Sequence, residues 1–302
     1  MTKKSTYLIL LALTIVLGTF LYYKFCCCCC CNPNKDVEKT SMVKQELVNQ
    51  SFMIEDSTFK YKCFDNFIFI NNKSDVILPI SDSLSMGIEN IKNYLNTNKN
   101  KNIKITGYAK ESEKNESMYP NLGYARAISL KNLFITKGFD ASRFEIDGII
   151  ENDLKMKGDT LIGPNLFKIF NTKSLSTTTQ QDWVSLKTTL NANPLVLCFE
   201  TGQTNVNLTT EEREKVAAIT KYLDNVSGST LQVEGHTDNV GSRTINVNLG
   251  LKRANFIKEY LVKNGIDASR ITTTSKGPDV PVSSNETEVG KAKNRRSIIT
   301  IN

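Results

Sequence analysis

Histidine occurs once in this chain of 302 residues, at His236, and that scarcity removes whole classes of chemistry. A metal centre built on several imidazoles cannot form, and the cysteines do not replace them. Six of the eight are contiguous, Cys26–Cys31, without the C-x-x-C separation that a pair of zinc ligands needs. The other two, Cys63 and Cys198, stand alone and read as small buried hydrophobes. No serine or cysteine lies in a nucleophile motif, so His236 reads as a turn residue that orders its loop, and no residue is assigned a catalytic role. Charge of one sign is not concentrated: the net +7 comes from lysines interspersed with acids. No aromatic-plus-basic motif of a nucleic-acid module is present. These lacks argue against an enzyme, a metal or cofactor site and a nucleic-acid binder.

What the front of the chain does have is an uncharged run, Tyr7–Tyr23, which with the residues to 25 is long enough to cross a bilayer as a helix. Lys3 and Lys4 before it favour a cytoplasmic N-terminus. A cleaved signal peptide or a lipoprotein would want small residues ahead of its processing site, and Gly18-Thr19-Phe20 and Tyr22 to Phe25 do not supply them. The cysteine run can pair with neighbouring chains in an oxidising compartment, carry acyl groups, or extend the apolar helix; these readings stay open. From Asn32 to about Asp56 the chain is polar and reads as a tether.

The rest is organised around Leu231–Ala254. Leu231 and Val233 alternate with Gln232 and Glu234 as in a half-buried strand, and Gly235 and Gly241 bracket a polar turn. Ala254, Ile257 and Leu261 then fall at helical spacing, predicting an amphipathic helix from about Asn246. Asp238 on the turn and Arg253 on the helix can face each other across a small cleft.

The stretch has an echo. Asn121–Phe144 aligns without gaps to Asn248–Ile271 at a shift of 127, with 11 of 24 positions identical. Extended outward, each copy reads β-α-β-α-β-β: opening strands at Phe67–Ile70 and Leu195–Phe199, and last strands at Leu166–Phe170 and Ile298–Ile301. Thr209 and Glu212 form a capping box before the helix face Val216, Ile219 and Leu223, matched by Ile88, Ile91 and Leu95. Both copies share a G-x-D-A-S-R turn. The order implies an α/β fold, an α+β sandwich with helices covering one face of a mixed sheet. The expected domains are 1–25 (start and membrane helix), 26–55 (neck and tether), 56–171 (first copy), 172–190 (a Ser/Thr/Gln-rich linker) and 191–302 (second copy).

Gly235-His236-Thr237-Asp238, Asn246, Leu249, Arg253-Ala254 and Asn294-Arg295-Arg296 resemble the signature of OmpA-like peptidoglycan-binding domains. Gly250 replaces the usual serine, which is expected to soften the helix start. The resemblance covers 191–302 and implies a ligand, the diaminopimelate-containing peptide stem of peptidoglycan. It assigns the ammonium to Asp238 and the carboxylate to Arg253, with Thr237, Asn246, His236 and Arg296 around them. Amides at the helix start would favour the carboxylate further.

In the first copy Tyr108-Ala109-Lys110 replaces His236-Thr237-Asp238, Tyr119 answers Asn246, and Arg126 keeps the place of Arg253 without that acidic partner. A scaffold or protein-contact role is expected there. The whole then reads as a non-catalytic wall anchor of a Gram-negative envelope, its folded part in the periplasm and its membrane helix in the inner rather than the outer membrane. The alternative is an assembly component of an envelope machine, with a second copy of the chain or other envelope proteins as partners. A motor stator is disfavoured, because Ser5–Tyr23 has no ionisable group to carry protons.

Overall fold

The computed structural model describes residues 51–172, 178–204 and 206–302. The membrane helix expected over 7–25, the cysteine run and most of the tether lie outside them. Among the described residues no helix is long and apolar enough to cross a membrane.

Met53–Glu55 (β1) pairs antiparallel with Lys60–Lys62 (β2). The folded part therefore begins before the boundary expected at Asp56, and the reason is aromatic: Phe52 packs edge-on against Phe67 and Phe167, with centroids 5.5 and 5.1 Å apart. Ile68–Ile70 (β3), Asp82–Thr97 (α1), Lys101–Ala109 (β4), Leu122–Thr136 (α2) and Phe144–Ile150 (β5) follow in the expected order. Met156–Lys157 (β6) and Thr160–Ile162 (β7) form a hairpin before Asn165–Asn171 (β8). β4 is the centre of a three-stranded sheet, parallel to β5 and antiparallel to β8. The opening strand β3 does not join it; β7 of the hairpin takes its ladder instead.

The segment expected to be a linker contains a helix, Thr178–Ala192 (α3). Trp183, Leu186 and Leu190 fall at i, i+3 and i+7 and pack against the second core, a period hidden by the polar residues around it.

The second copy runs Leu195–Cys198 (β9), Thr210–Asn225 (α4), Leu231–His236 (β10), Arg243–Lys263 (α5), Ile271–Gly277 (β11), Glu288–Asn294 (α6) and Arg296–Ile301 (β12). Its four-stranded sheet has the order β11-β10-β12-β9, with only β10 and β11 parallel. The capping box at Thr209 and Glu212 starts α4. α5 starts earlier than Asn246 because the Ser242 side chain accepts from the Ile245 amide and caps it. On β9, Leu195 and Leu197 face the core, so strand alternation turns Cys198 outward; it is exposed and Cys63 is half-buried, unlike the buried pair expected.

Two features explain why the copies share so many residues. Gly235 meets Gly250 so closely that a Cβ on Gly235 would lie 1.9 Å from the Gly250 carbonyl oxygen; Gly107 meets Gly123 the same way, at 2.0 Å. Gly250 therefore lies well inside α5 and is a contact point between helix and strand, not a softened helix start. The D-A-S-R turns serve helix ends. Arg143 donates to the carbonyls of Leu95 and Asn98 at the end of α1, and Arg270 to those of Leu223 and Val226 at the end of α4.

The copies are parts of one compact unit. Met118, Tyr119, Leu122, Ala125 and Ile128 of the first belong to the same apolar cluster as the second copy's core. Lys131, almost fully buried, reaches Asp224 at 2.6 Å, and burial raises the Asp224 carboxyl.

Candidate functional site

The Gly235–Gly250 contact sets where the next residues along each element come together. One helical turn past Gly250 on α5, Arg253 is buried completely. Its Nε donates to the Gln203 carbonyl at 3.0 Å, Nη1 to that of His236 at 3.3 Å and Nη2 to that of Glu200 at 3.2 Å. The guanidinium also lies 4.9 Å from the Phe199 ring centroid. Burial pushes its pKa down to about 10 while Asp238 pulls it back up, so it stays charged at neutral pH.

The first copy repeats this cradle contact for contact. Arg126 Nε donates to the Lys73 carbonyl at 3.1 Å, Nη1 to that of Tyr108 at 2.9 Å and Nη2 to that of Ile70 at 3.4 Å, with Phe69 under the guanidinium at 5.6 Å. It also has an acidic partner that the sequence comparison did not find. Glu113 lies on the loop after β4 and accepts from Arg126 Nη1 at 2.9 Å and from Nη2 in a second, shorter bond. That partner is hard to see in sequence because it stands thirteen residues ahead of the arginine, not at the place of Asp238.

A guanidinium has five N–H groups. Arg126 uses one on Nε and two on each terminal nitrogen. Among the described residues Arg253 meets the equivalent carbonyls, those of Gln203, His236 and Glu200, which take one N–H on each nitrogen; a second N–H on each terminal nitrogen remains, a pair whose geometry suits a carboxylate.

Around Arg253 lies a cleft of about 170 Å3, lined by Thr237, Asp238, Asn246, Leu249, Lys291 and Arg295 among others. Four of the six residues singled out from sequence thus meet here: Asp238, Arg253, Thr237 and Asn246. Asp238 accepts from the Val240 amide at 3.2 Å and from Arg295 Nη1 at 3.0 Å. The Asn246 side chain donates to the Val240 carbonyl at 3.0 Å and fixes the turn. At the start of α5 the Ile245 amide donates to the Ser242 hydroxyl and the Asn246 amide to the Ser242 carbonyl.

The other two singled-out residues, His236 and Arg296, are not in the lining. His236 is buried, its Nε2 lies 3.2 Å from a Glu234 oxygen without hydrogen-bond alignment, and burial, Arg296 and Lys276 push its pKa down to about 4. It is a neutral core group beneath the turn. Arg296 donates to the carbonyls of Asn294 and Val280, away from the cleft. The arginine that does face it is Arg295, which also donates to the Phe199 carbonyl at 3.2 Å. The sequence held a signal for this choice. Ile299 and Ile301 point into the core, and period-two counting back along the strand puts residue 295, not 296, on that side. Asn294 binds the loop before it through the amides of Val282 and Ser283.

Lys291 and Glu288, on the short helix α6, also line the cleft and were not foreseen. They pair at 2.8 Å, and this bond raises the Lys291 ammonium. A larger groove of about 400 Å3 between the copies, lined by Tyr124, Asp147, Trp183 and Asp224, shares no residue with the cleft. Among the described residues no group of three or more His, Cys, Asp or Glu is placed to hold a metal ion.

The chain is similar to known proteins over part of its length. The model of the OmpA family matches residues 198–295, which contain the whole cleft. Outer membrane protein Omp38 of Acinetobacter baumannii is 38% identical over 104 residues, 34% of this chain and 29% of that protein. The peptidoglycan-associated lipoprotein of Buchnera aphidicola is 40% identical over 81 residues, 27% of this chain and 47% of that protein. The match thus spans less than half the length of each of these relatives. Among solved structures, the peptidoglycan-associated lipoprotein of Burkholderia pseudomallei aligns with 35% of this chain and 89% of its own, at 23% identity and a TM-score of 0.33.

Proposed function

We propose that the second copy binds peptidoglycan without catalysis, holding the diaminopimelate residue of a peptide stem in the Arg253–Asp238 cleft. The observation that carries this reading is the pair of arginine cradles. In the first copy the cradle holds a carboxylate, Glu113; in the second the equivalent cradle lies at the floor of a cleft with two N–H groups to spare. A ligand carboxylate would take the place that Glu113 takes on Arg126. Its neighbouring ammonium would meet Asp238, which keeps acceptor capacity beyond Val240 and Arg295. Thr237 and Asn246 would border the ligand, and Arg295 would hold Asp238 in position.

Such a contact is small, so a single stem would bind weakly and many chains on one polymer would add avidity. With a membrane helix over 7–25, the chain would tie a membrane to the wall, its folded part in the periplasm. The matches to an outer membrane protein and to a peptidoglycan-associated lipoprotein favour an envelope location. A second reading, an assembly component of an envelope machine, is favoured by the first copy, whose arginine is already occupied and whose apolar face is committed to the second.

The test is co-sedimentation of the full chain with purified peptidoglycan, with free meso-diaminopimelate as competitor. Wild type should pellet and the competitor should release it. Asp238→Asn, which keeps the shape and removes the charge, should lose at least about tenfold in affinity, the lower range for one charge-assisted contact. A wild-type chain that stays in the supernatant, or an Asp238→Asn chain that pellets equally, would sink the reading.

A further inference from the structure

Glu113 has more partners than an ordinary surface acid. Its side chain is 2% exposed, and one oxygen accepts from the Asn72 amide at 3.0 Å and the other from the Lys110 amide at 2.9 Å, besides the two bonds from Arg126. Burial alone would raise its pKa; the bonds from Arg126 and the two amides outweigh it and hold the carboxyl below the usual range. Both oxygens are thus saturated by donors from three separate segments, the end of β3, the end of β4 and α2. That is the donor set of a carboxylate receptor, and the carboxylate comes from the chain itself.

The loop that supplies Glu113 also seats the second copy. Tyr119 is buried and its hydroxyl donates to the Asn264 carbonyl at 2.8 Å. Tyr260 donates to the Glu116 carbonyl at 2.8 Å, and Arg213 to that of Tyr119 at 3.4 Å. Where the second copy has Asn246 lining its cleft, the first has Tyr119 anchoring the interface.

We infer that the first copy retains a working site for small carboxylates, filled from within by Glu113, and that this filling latches the 110–120 loop against the second copy. The site binds any carboxylate of acetate size once Glu113 is removed, and in the intact chain it is closed to a peptide stem. The inference stands on the first copy alone and does not depend on what the second copy binds.

The experiment is thermal unfolding of the full chain carrying Glu113→Ala, titrated with sodium acetate and, separately, sodium chloride. Without acetate the variant should melt several degrees below wild type. Acetate at ~100 mM should restore about half of that loss or more, as expected for a ligand bound only by the folded state, and chloride should not. Wild type, whose site is filled, should respond to neither beyond the common salt effect. Amide exchange at Ser117 and Tyr119 should speed up in the alanine variant and slow again in acetate. If the variant does not fold in chloride, recovery of its circular dichroism in acetate supports the site. Acetate acting no better than chloride, acting equally on wild type, or leaving the loop exchange unchanged would overturn the inference.

Discussion

Arg253→Lys separates charge from geometry at the cleft. Arg253 meets three carbonyls with three different nitrogens and sits over Phe199. A lysine places all its donors on one nitrogen, so it can satisfy one or two of those carbonyls or turn toward the ligand, but not do both. One of the two ligand hydrogen bonds is then lost, and at about 1.5–3 kcal/mol for a bond to a charged group this predicts a loss of roughly 10- to 150-fold in affinity. The fold is weakened as well, since buried carbonyls lose donors at about 1–3 kcal/mol each. Calorimetric titration of the full chain with a soluble diaminopimelate-containing stem peptide gives the first quantity, and denaturant unfolding without ligand gives the second. The reasoning fails if the folded variant binds the peptide within about twofold of wild type, a difference under about 0.5 kcal/mol, because a single ammonium would then do the work ascribed to the fork.

Two further outcomes follow from the same geometry. Gly235→Ala puts a methyl 1.9 Å from a backbone oxygen of α5, so the helix must shift; the expected cost is at least about 1–3 kcal/mol of stability, with stem affinity falling because Asn246 and Arg253 move with it. Gly228→Ala, at a positive φ of 77° but in open space, is the control and should leave affinity unchanged. For pH, His236 has a folded value of about 4, below the ordinary 6.5, so the unfolded chain takes up the proton first. Its contribution to stability is complete above about pH 6.5 and is lost as pH falls toward 4, on the order of 3 kcal/mol at most, less whatever Glu234 returns to the protonated ring. Unfolding midpoints between pH 7 and 4 should fall less steeply in His236→Asn; an equal slope would assign the acid sensitivity elsewhere.

Much of the second copy could be read from its sequence because its signals are local. Leu231 and Val233 alternate, Thr209 and Glu212 cap a helix, and Ala254, Ile257 and Leu261 repeat at helical spacing; each depends only on neighbours a few residues away. The missed features are those in which distant segments decide. α3 was hidden in a Ser/Thr/Gln-rich stretch because three apolar residues gain their meaning only from the core they meet. β3 left the first sheet because a later hairpin offered it a partner.

The site divides the same way. The sequence by itself marked Asp238 and Arg253 of the second copy, which the fold brings to one cleft, and showed that the first copy keeps the arginine. Only the tertiary structure decided that Arg126 is already satisfied by Glu113. The physical reason is that a buried guanidinium must find acceptors for its donors wherever the fold brings them. The backbone carbonyls that make the cradle belong to no residue type, and the carboxylate that fills it comes from a loop whose path depends on the packing of both copies.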